Sequence, residues 1–185
     1  EKKGMMVQSL ADRMKAKWAV FKDWPKKGVD FIDLCPVFSD VALFNDIIDH
    51  YVARYKKLGV THIVGLDARG FIIGGALAYA MKTSFVPIRK HNKLPGPCFT
   101  AEYKKEYGMD KCDIQKGALK KGDKVVIMDD LLATGGTLAA AYELVYANNA
   151  EIVETTVFVE LGFLPGRKVL AKASNSPVYS LTTIE

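Results

Sequence analysis

The chain has 185 residues and a mass of 20.4 kDa, enough for one domain with a sizeable core and a small appendage. Its 26 basic against 21 acidic residues give a formal charge of +5. That mild excess, with no long basic run and no repeated stacking platform, points to a phosphate-rich small molecule and not to nucleic acid. No apolar run approaches the roughly 18–20 residues of a membrane span, so no membrane partner is expected. Cys35, Cys98 and Cys112 cannot all pair and lack metal-ligand spacing, and His50, His62 and His91 are scattered; reduced thiols in a cytoplasmic protein are the expectation.

In chain order, Met5 to Val20 suggests a helix, followed by an irregular turn at Trp24-Pro25-Lys26-Lys27-Gly28. Residues from about 20 to 38 are expected to form a short N-terminal hood. Ser39 or Asp40 can cap a helix to about Leu58, with Leu43, Phe44, Ile47, Ile48, Tyr51 and Tyr55 on one stripe. His62 to Leu66 reads as a short apolar strand, Gly70 to Met81 as a helix and Ser84 to Ile88 as a β-branched strand. Pro95 and Pro97 then break the pattern. Phe99 to Glu106 and Lys111 to Gln115 read as a hairpin, so that residues 97–116 make an inserted flexible lid. Val125 to Met128 is a second apolar strand, Gly136 to Asn148 a helix, and Ile152 to Val159 a stretch rich in Val, Thr and Ile. Strands alternating with helices predict a single α/β domain over 1–185: a Rossmann-like, mostly parallel sheet with helices on both faces, its core about 39–185.

The sharpest motif is Val125-Val126-Ile127-Met128-Asp129-Asp130-Leu131-Leu132-Ala133-Thr134-Gly135-Gly136-Thr137. An apolar strand ends in two carboxylates, passes through a turn of small residues and enters a helix. Gly135 and Gly136 let the backbone turn so that successive N–H groups converge on one phosphate. Thr134 and Thr137 add hydroxyl donors, and the helix start adds its positive dipole end. Asp129 and Asp130 suit the hydroxyls of a sugar attached to that phosphate, or a divalent metal. No Gly-Lys-Ser/Thr follows the glycines and no Gly-x-Gly-x-x-Gly follows a strand, which argues against a triphosphate P-loop and a dinucleotide fold.

This segment resembles the phosphoribosyl pyrophosphate motif of the type I phosphoribosyltransferases. The resemblance implies that Asp129 and Asp130 take the ribose hydroxyls and that Ala133, Thr134, Gly135, Gly136 and Thr137 take the 5-phosphate. Gly65-Leu66-Asp67-Ala68-Arg69-Gly70-Phe71 is similar to the pyrophosphate loop of the adenine-specific members. This implies pyrophosphate contacts from Asp67, Ala68 and Arg69, a base contact from Arg69, and a cis peptide at Asp67–Ala68. Arg89-Lys90-His91-Asn92-Lys93-Leu94-Pro95-Gly96 is similar to their basic signature. It implies that Arg89, Lys90 and Lys93 meet the leaving pyrophosphate, and that the protein is a homodimer. Glu106-Tyr107-Gly108 with Ile114-Gln115-Lys116 looks like their catalytic loop. Glu106 would then exchange a proton with the purine, with Tyr107 in the lid. The likeness continues to Glu160-Leu161 and Gly166-Arg167, with Leu161 implied at the base.

The activity implied by the resemblance is purine salvage. The 5-phosphoribosyl group would pass from phosphoribosyl pyrophosphate to adenine, giving AMP and pyrophosphate. Mg2+ would be the cofactor, bound with the donor and held, if by protein at all, by Asp129 and Asp130. One stretch departs. Gly28-Val29-Asp30-Phe31-Ile32-Asp33 keeps Phe31, which can stack on a purine. Asp30 stands where an aliphatic residue is usual, its backbone at the base, and Ile32 replaces the usual cation. Two alternatives therefore stay open: a paralogue acting on another purine base, and a non-catalytic regulator that binds phosphoribosyl pyrophosphate or a nucleotide.

Overall fold

The computed structural model describes residues 8–105 and 108–185. Contacts divide the chain into two compact units, one ending at Tyr51 and one running from Val52 to Glu185.

In the first unit, α1 (Leu10–Lys15) is capped by Ser9, whose hydroxyl oxygen accepts from the Asp12 N–H at 3.1 Å. The helix expected over Met5 to Val20 stops earlier. Ala19–Phe21 forms a strand, β1, that pairs antiparallel with β2 (Phe31–Asp33), Phe21 opposite Phe31. Short β-branched and aromatic runs are ambiguous on periodicity alone, and here the ladder decides. Trp24 and Phe31 meet edge to face, centroids 4.5 Å apart. After α2 (Cys35–Ser39), α3 (Val41–Tyr55) begins at the expected cap, Asp40 Oδ1 accepting from Leu43 N–H at 3.1 Å, and its last turn, from Val52 on, belongs to the second unit.

The second unit carries a seven-stranded sheet. Its elements are β3 (His62–Leu66), α4 (Arg69–Met81), β4 (Ser84–Lys90), β5 (Cys98–Lys105), β6 (Gly108–Gln115), β7 (Lys124–Leu132), α5 (Gly136–Ala147), β8 (Glu151–Leu161), α6 (Gly166–Ala173) and β9 (Val178–Ile184). The spatial order is β5-β6-β4-β3-β7-β8-β9. From β4 to β9 the neighbours are parallel, while β5 and β6 form an antiparallel hairpin joined to β4 through β6. Helices cover both faces. Val64, Leu66, Val125 and Ile127 share a cluster with Leu138, Ala141 and Val145 of α5. The residues between them point the other way, where Gly65 and Gly70 bring α4 against the strands: a Cβ on Gly70 would lie 2.7 Å from the Met128 carbonyl oxygen.

A second expectation is corrected. The strand read as Val125 to Met128 continues through both acids to Leu132, paired with β8 as far as Leu132 opposite Glu160. Hydrogen bonding to a central neighbour overrides the low strand preference of Asp. Beyond β8, the chain adds α6 and β9, for which the sequence carries little signal: one is eight residues long, the other alternates weakly through Ser and Thr.

Candidate active site

β3 leads through α4 to β4 on one side, and its neighbour β7 leads through α5 to β8 on the other. The crevice outside the carboxyl ends of β3 and β7 is therefore a topological switch point, where open α/β sheets bind ligands. Most of the residues singled out from the sequence gather at these strand ends. Asp67 and Ala68 follow β3, and Arg69 opens α4. Arg89 and Lys90 end β4, and Lys93 lies in the turn after it. Asp129 and Asp130 lie near the end of β7, Ala133 to Gly135 form its turn, Gly136 and Thr137 open α5, and Leu161 ends β8. Asp30 and Phe31 belong to the first unit, Asp30 exposed and Phe31 half-buried at the start of β2. Glu106 and Tyr107 lie outside the described residues.

The turn after β7 has a geometry suited to an anion. Gly135 takes φ +85°, a left-handed conformation open to glycine. Among the described residues no side chain caps α5, so the N–H groups of its first turn are left for a ligand. Asp129 and residues 131–138 line a small, open cavity of about 80 Å3 there.

The acids upstream are in a different environment. Burial, and then the neighbouring Asp130 charge, push the Asp129 carboxyl well above its ordinary value, against the opposing pull of Arg69. Asp129 Oδ1 accepts the Asp130 N–H at 2.9 Å. Asp130 is buried, and its Oδ2 lies 2.7 Å from Arg69 Nε. That oxygen accepts no well-aimed hydrogen bond among the described residues, so the contact is one of charge and the lone pairs remain for a hydroxyl or a cation. No group of three or more His, Cys, Asp or Glu among the described residues could hold a metal. Two carboxylates do fit Mg2+, which is commonly held by one or two of them together with substrate phosphates.

The cationic side of the crevice is partly braced. Arg89 Nε donates to Asp67 Oδ2 at 3.2 Å, and its Nη1 donates to the Lys93 carbonyl at 3.0 Å, which folds the basic turn back on the strand. Lys90 and Lys93 are exposed. The Asp67–Ala68 peptide is cis, as the loop's resemblance implies. One partnership is not visible in the sequence. Buried Asp113 faces Arg89 across the β4–β6 ladder; it hydrogen-bonds His91 Nδ1 at 3.0 Å and accepts from Asn92 N–H at 2.9 Å and the Thr100 hydroxyl at 2.8 Å. No spacing rule links residues from three separate strands and turns.

Of the three thiols, none is in a disulfide. Burial and the neighbouring Asp113 push Cys112 up to about 12, leaving it protonated and inert at neutral pH. Ile32, standing where the resemblance implies a cation, is buried; an unpaired charge would be costly there.

Residues 41–185 match the phosphoribosyl transferase domain. Adenine phosphoribosyltransferase of Candida albicans is 42% identical over 175 residues, covering 95% of this chain and 91% of that protein. Among solved structures, adenine phosphoribosyltransferase from Thermoanaerobacter pseudethanolicus aligns with a TM-score of 0.89 at 38% identity, covering 94% of this chain and 99% of that one. The Saccharomyces cerevisiae enzyme, solved with an imino-altritol bisphosphate and adenine, gives a TM-score of 0.86 at 41% identity, covering 94% and 98%. With family match, sheet order and near full-length similarity in agreement, the chain belongs to the phosphoribosyl transferase family, among the adenine phosphoribosyltransferases.

Proposed function

We propose that the chain transfers the 5-phosphoribosyl group of phosphoribosyl pyrophosphate to N9 of adenine, forming AMP and releasing pyrophosphate in purine salvage. The observation that carries this reading is the cradle of residues 133–137 directly downstream of two acids at a switch point, in a chain similar from end to end to adenine phosphoribosyltransferases. Cleaving the bond between ribose C1 and the pyrophosphate oxygen leaves positive charge on the ring and negative charge on the leaving group. Asp129 and Asp130 accept hydrogen bonds from the ribose hydroxyls and favour the cationic ring. Ala133, Thr134, Gly135, Gly136 and Thr137 hold the 5-phosphate, which fixes the sugar in place. Asp67, Ala68, Arg69, Arg89, Lys90 and Lys93 form the pyrophosphate side, and its four cations balance the charge that develops there.

Arg69, Asp30, Phe31 and Leu161 are assigned to the base, with Phe31 as stacking face. Glu106 exchanges the purine proton, and Tyr107 belongs to the lid that keeps water from the electrophile. Mg2+ entering with the donor would be held by substrate oxygens and by Asp129 or Asp130, and would supply charge neutralisation of the pyrophosphate.

A homodimer belongs to the same reading, supported by Ile72 and Tyr79, exposed seven residues apart on α4. So does a cytoplasmic location, supported by three cysteines outside any disulfide. Among the described residues no helix is long and apolar enough to cross a membrane. A screen of radiolabelled purine bases with phosphoribosyl pyrophosphate and Mg2+ tests the assignment. Labelled AMP from adenine is expected. Product from hypoxanthine or guanine alone removes adenine as substrate and favours the divergent paralogue, while no product from any base favours the binding regulator.

A further inference from the structure

The phosphate cradle has a back wall supplied by a later part of the chain. Gly166, the first residue of α6, is buried with its Cα 3.1 Å from where a Cβ on Gly135 would stand, and its carbonyl oxygen is 2.7 Å from that point. In the other direction, a Cβ on Gly166 would run into the carbonyl oxygen of Ala133 and come within 2.7 Å of Leu132 Cδ1. Gly135 is required twice over, by its φ of +85° and by this contact. Gly166 is not among the residues of positive φ, so space alone demands a glycine there.

The start of α6 is in turn fixed to the strand beside the cradle. Arg167 Nε donates to Glu160 Oε1 at 2.8 Å, Nη2 donates to Oε2, and Nη1 donates to the Val178 carbonyl of β9 at 2.9 Å. The Ser180 hydroxyl donates to Glu160 Oε2 at 2.8 Å. Glu160 stands opposite Leu132 in the β7–β8 ladder, and Leu132 is the residue that enters the cradle. The circuit closes on itself: Leu132, Glu160, Arg167, Gly166 and back to Ala133.

We infer that Gly166 and the Arg167–Glu160 pair are positioning residues for the cradle, setting the direction of its N–H groups toward a phosphate monoester. This rests on the reading of residues 133–137 as the 5-phosphate site. The physical link is the planarity of the peptide unit. The Ala133 carbonyl and the Thr134 N–H belong to one rigid plane, so pressure on the oxygen swings the N–H away from the phosphate. Gly166 leaves that oxygen room, and the bidentate Arg167 fork stops α6 from sliding toward it. All three act through the backbone of the cradle and not by their own contact with the phosphate.

Gly166→Ala and Glu160→Gln test this by calorimetry with ribose 5-phosphate and, separately, with pyrophosphate plus Mg2+, alongside the KM values of donor and adenine. Gly166→Ala is expected to weaken ribose 5-phosphate and raise the donor KM by about 10–100-fold, the scale of a misplaced binding group, with pyrophosphate affinity and adenine KM within about twofold. Glu160→Gln should show a smaller loss of the same selectivity, since its amide oxygen still accepts one N–H, and Arg167→Lys a similar one. If Gly166→Ala does not fold, these two variants carry the same comparison. Equal losses for the two ligands, or unchanged ribose 5-phosphate affinity, overturn the inference. Wild-type protein that binds ribose 5-phosphate but makes no nucleotide would sink the transfer reading and leave the positioning role standing. Wild-type protein that does not bind ribose 5-phosphate sinks both.

Discussion

Glu160 accepts both arms of Arg167 and the Ser180 hydroxyl with only 10% of its side chain exposed. The Arg167 hydrogen bonds hold its carboxyl below the usual range. A folded-state pKa below the unfolded value of about 4.3 means stability that is present above that pH and lost as pH falls through the folded value. Glu160→Gln should therefore lower Tm at pH 7, and the gap to wild type should close below about pH 4. Because Arg167 is half exposed, solvent screening brings the pair down toward the upper value of an exposed ion pair, about 1 kcal/mol or roughly 2–4 °C. Thermal melts from pH 3 to 8 check this; a gap independent of pH would show that Glu160 acts by packing alone. Glu106 belongs to the same scale but to the chemistry. Removing a general acid–base group costs about 10²–10⁴-fold, so Glu106→Ala should drop kcat on that order while donor binding stays nearly intact. Equal loss of both would make Glu106 structural.

The elements are held by ties of a different kind. Glu154 of β8 is buried and accepts from Arg54 Nε and Nη2 and from the Tyr55 hydroxyl, each at 2.7 Å. The Arg54 guanidinium also lies 3.8 Å from the ring centroid of Tyr179 in β9. The last turn of α3 is thus pinned to two strands by one side chain. Arg54→Ala strands a buried carboxylate, expected to cost about 3 kcal/mol and lower Tm by roughly 6–12 °C. The double variant Arg54→Met, Glu154→Met should recover most of that, since replacing a buried pair by apolar groups is often neutral. Melts of both variants decide it, and a double variant no better than the single would refute the pair's role.

No periodicity announces a contact 100 residues apart, and the same limit shapes what the sequence discloses. The start of α3 at Asp40, strand β3 and helices α4 and α5 are legible because caps and unbroken apolar runs signal locally. The cradle is legible because each of its residues has a local job. β1 and β2, three residues each, and α6, with Pro165 at its cap, give no local signal and exist through their partners. The end of β7 is hidden for the same reason: Asp129 and Asp130 read as loop until β8 lies beside them.

At the scale of the molecule, the formal charge of +5 is modest, and its placement matters more than its size. In the second unit the cations at the strand ends differ in how far they are already paired. Arg69 stands by Asp130 and Arg89 by Asp67, whereas Lys90 and Lys93 are exposed. Exposed charges are screened by salt over a Debye length of about 10 Å at 0.1 M and 3 Å at 1 M, while partly buried pairs are screened much less. The donor and pyrophosphate are polyanions, and adenine is neutral. Raising KCl from about 0.05 to 0.5 M should therefore raise the KM of phosphoribosyl pyrophosphate several-fold and leave that of adenine within about twofold, with kcat little changed. Lys90→Gln combined with Lys93→Gln should raise the donor KM at low salt and flatten its salt dependence. Steady-state kinetics across that range separate this from general salt damage, which would lower kcat and affect both substrates alike. A salt response undiminished in the double variant would mean that Arg69 and Arg89, despite their carboxylate partners, carry the attraction.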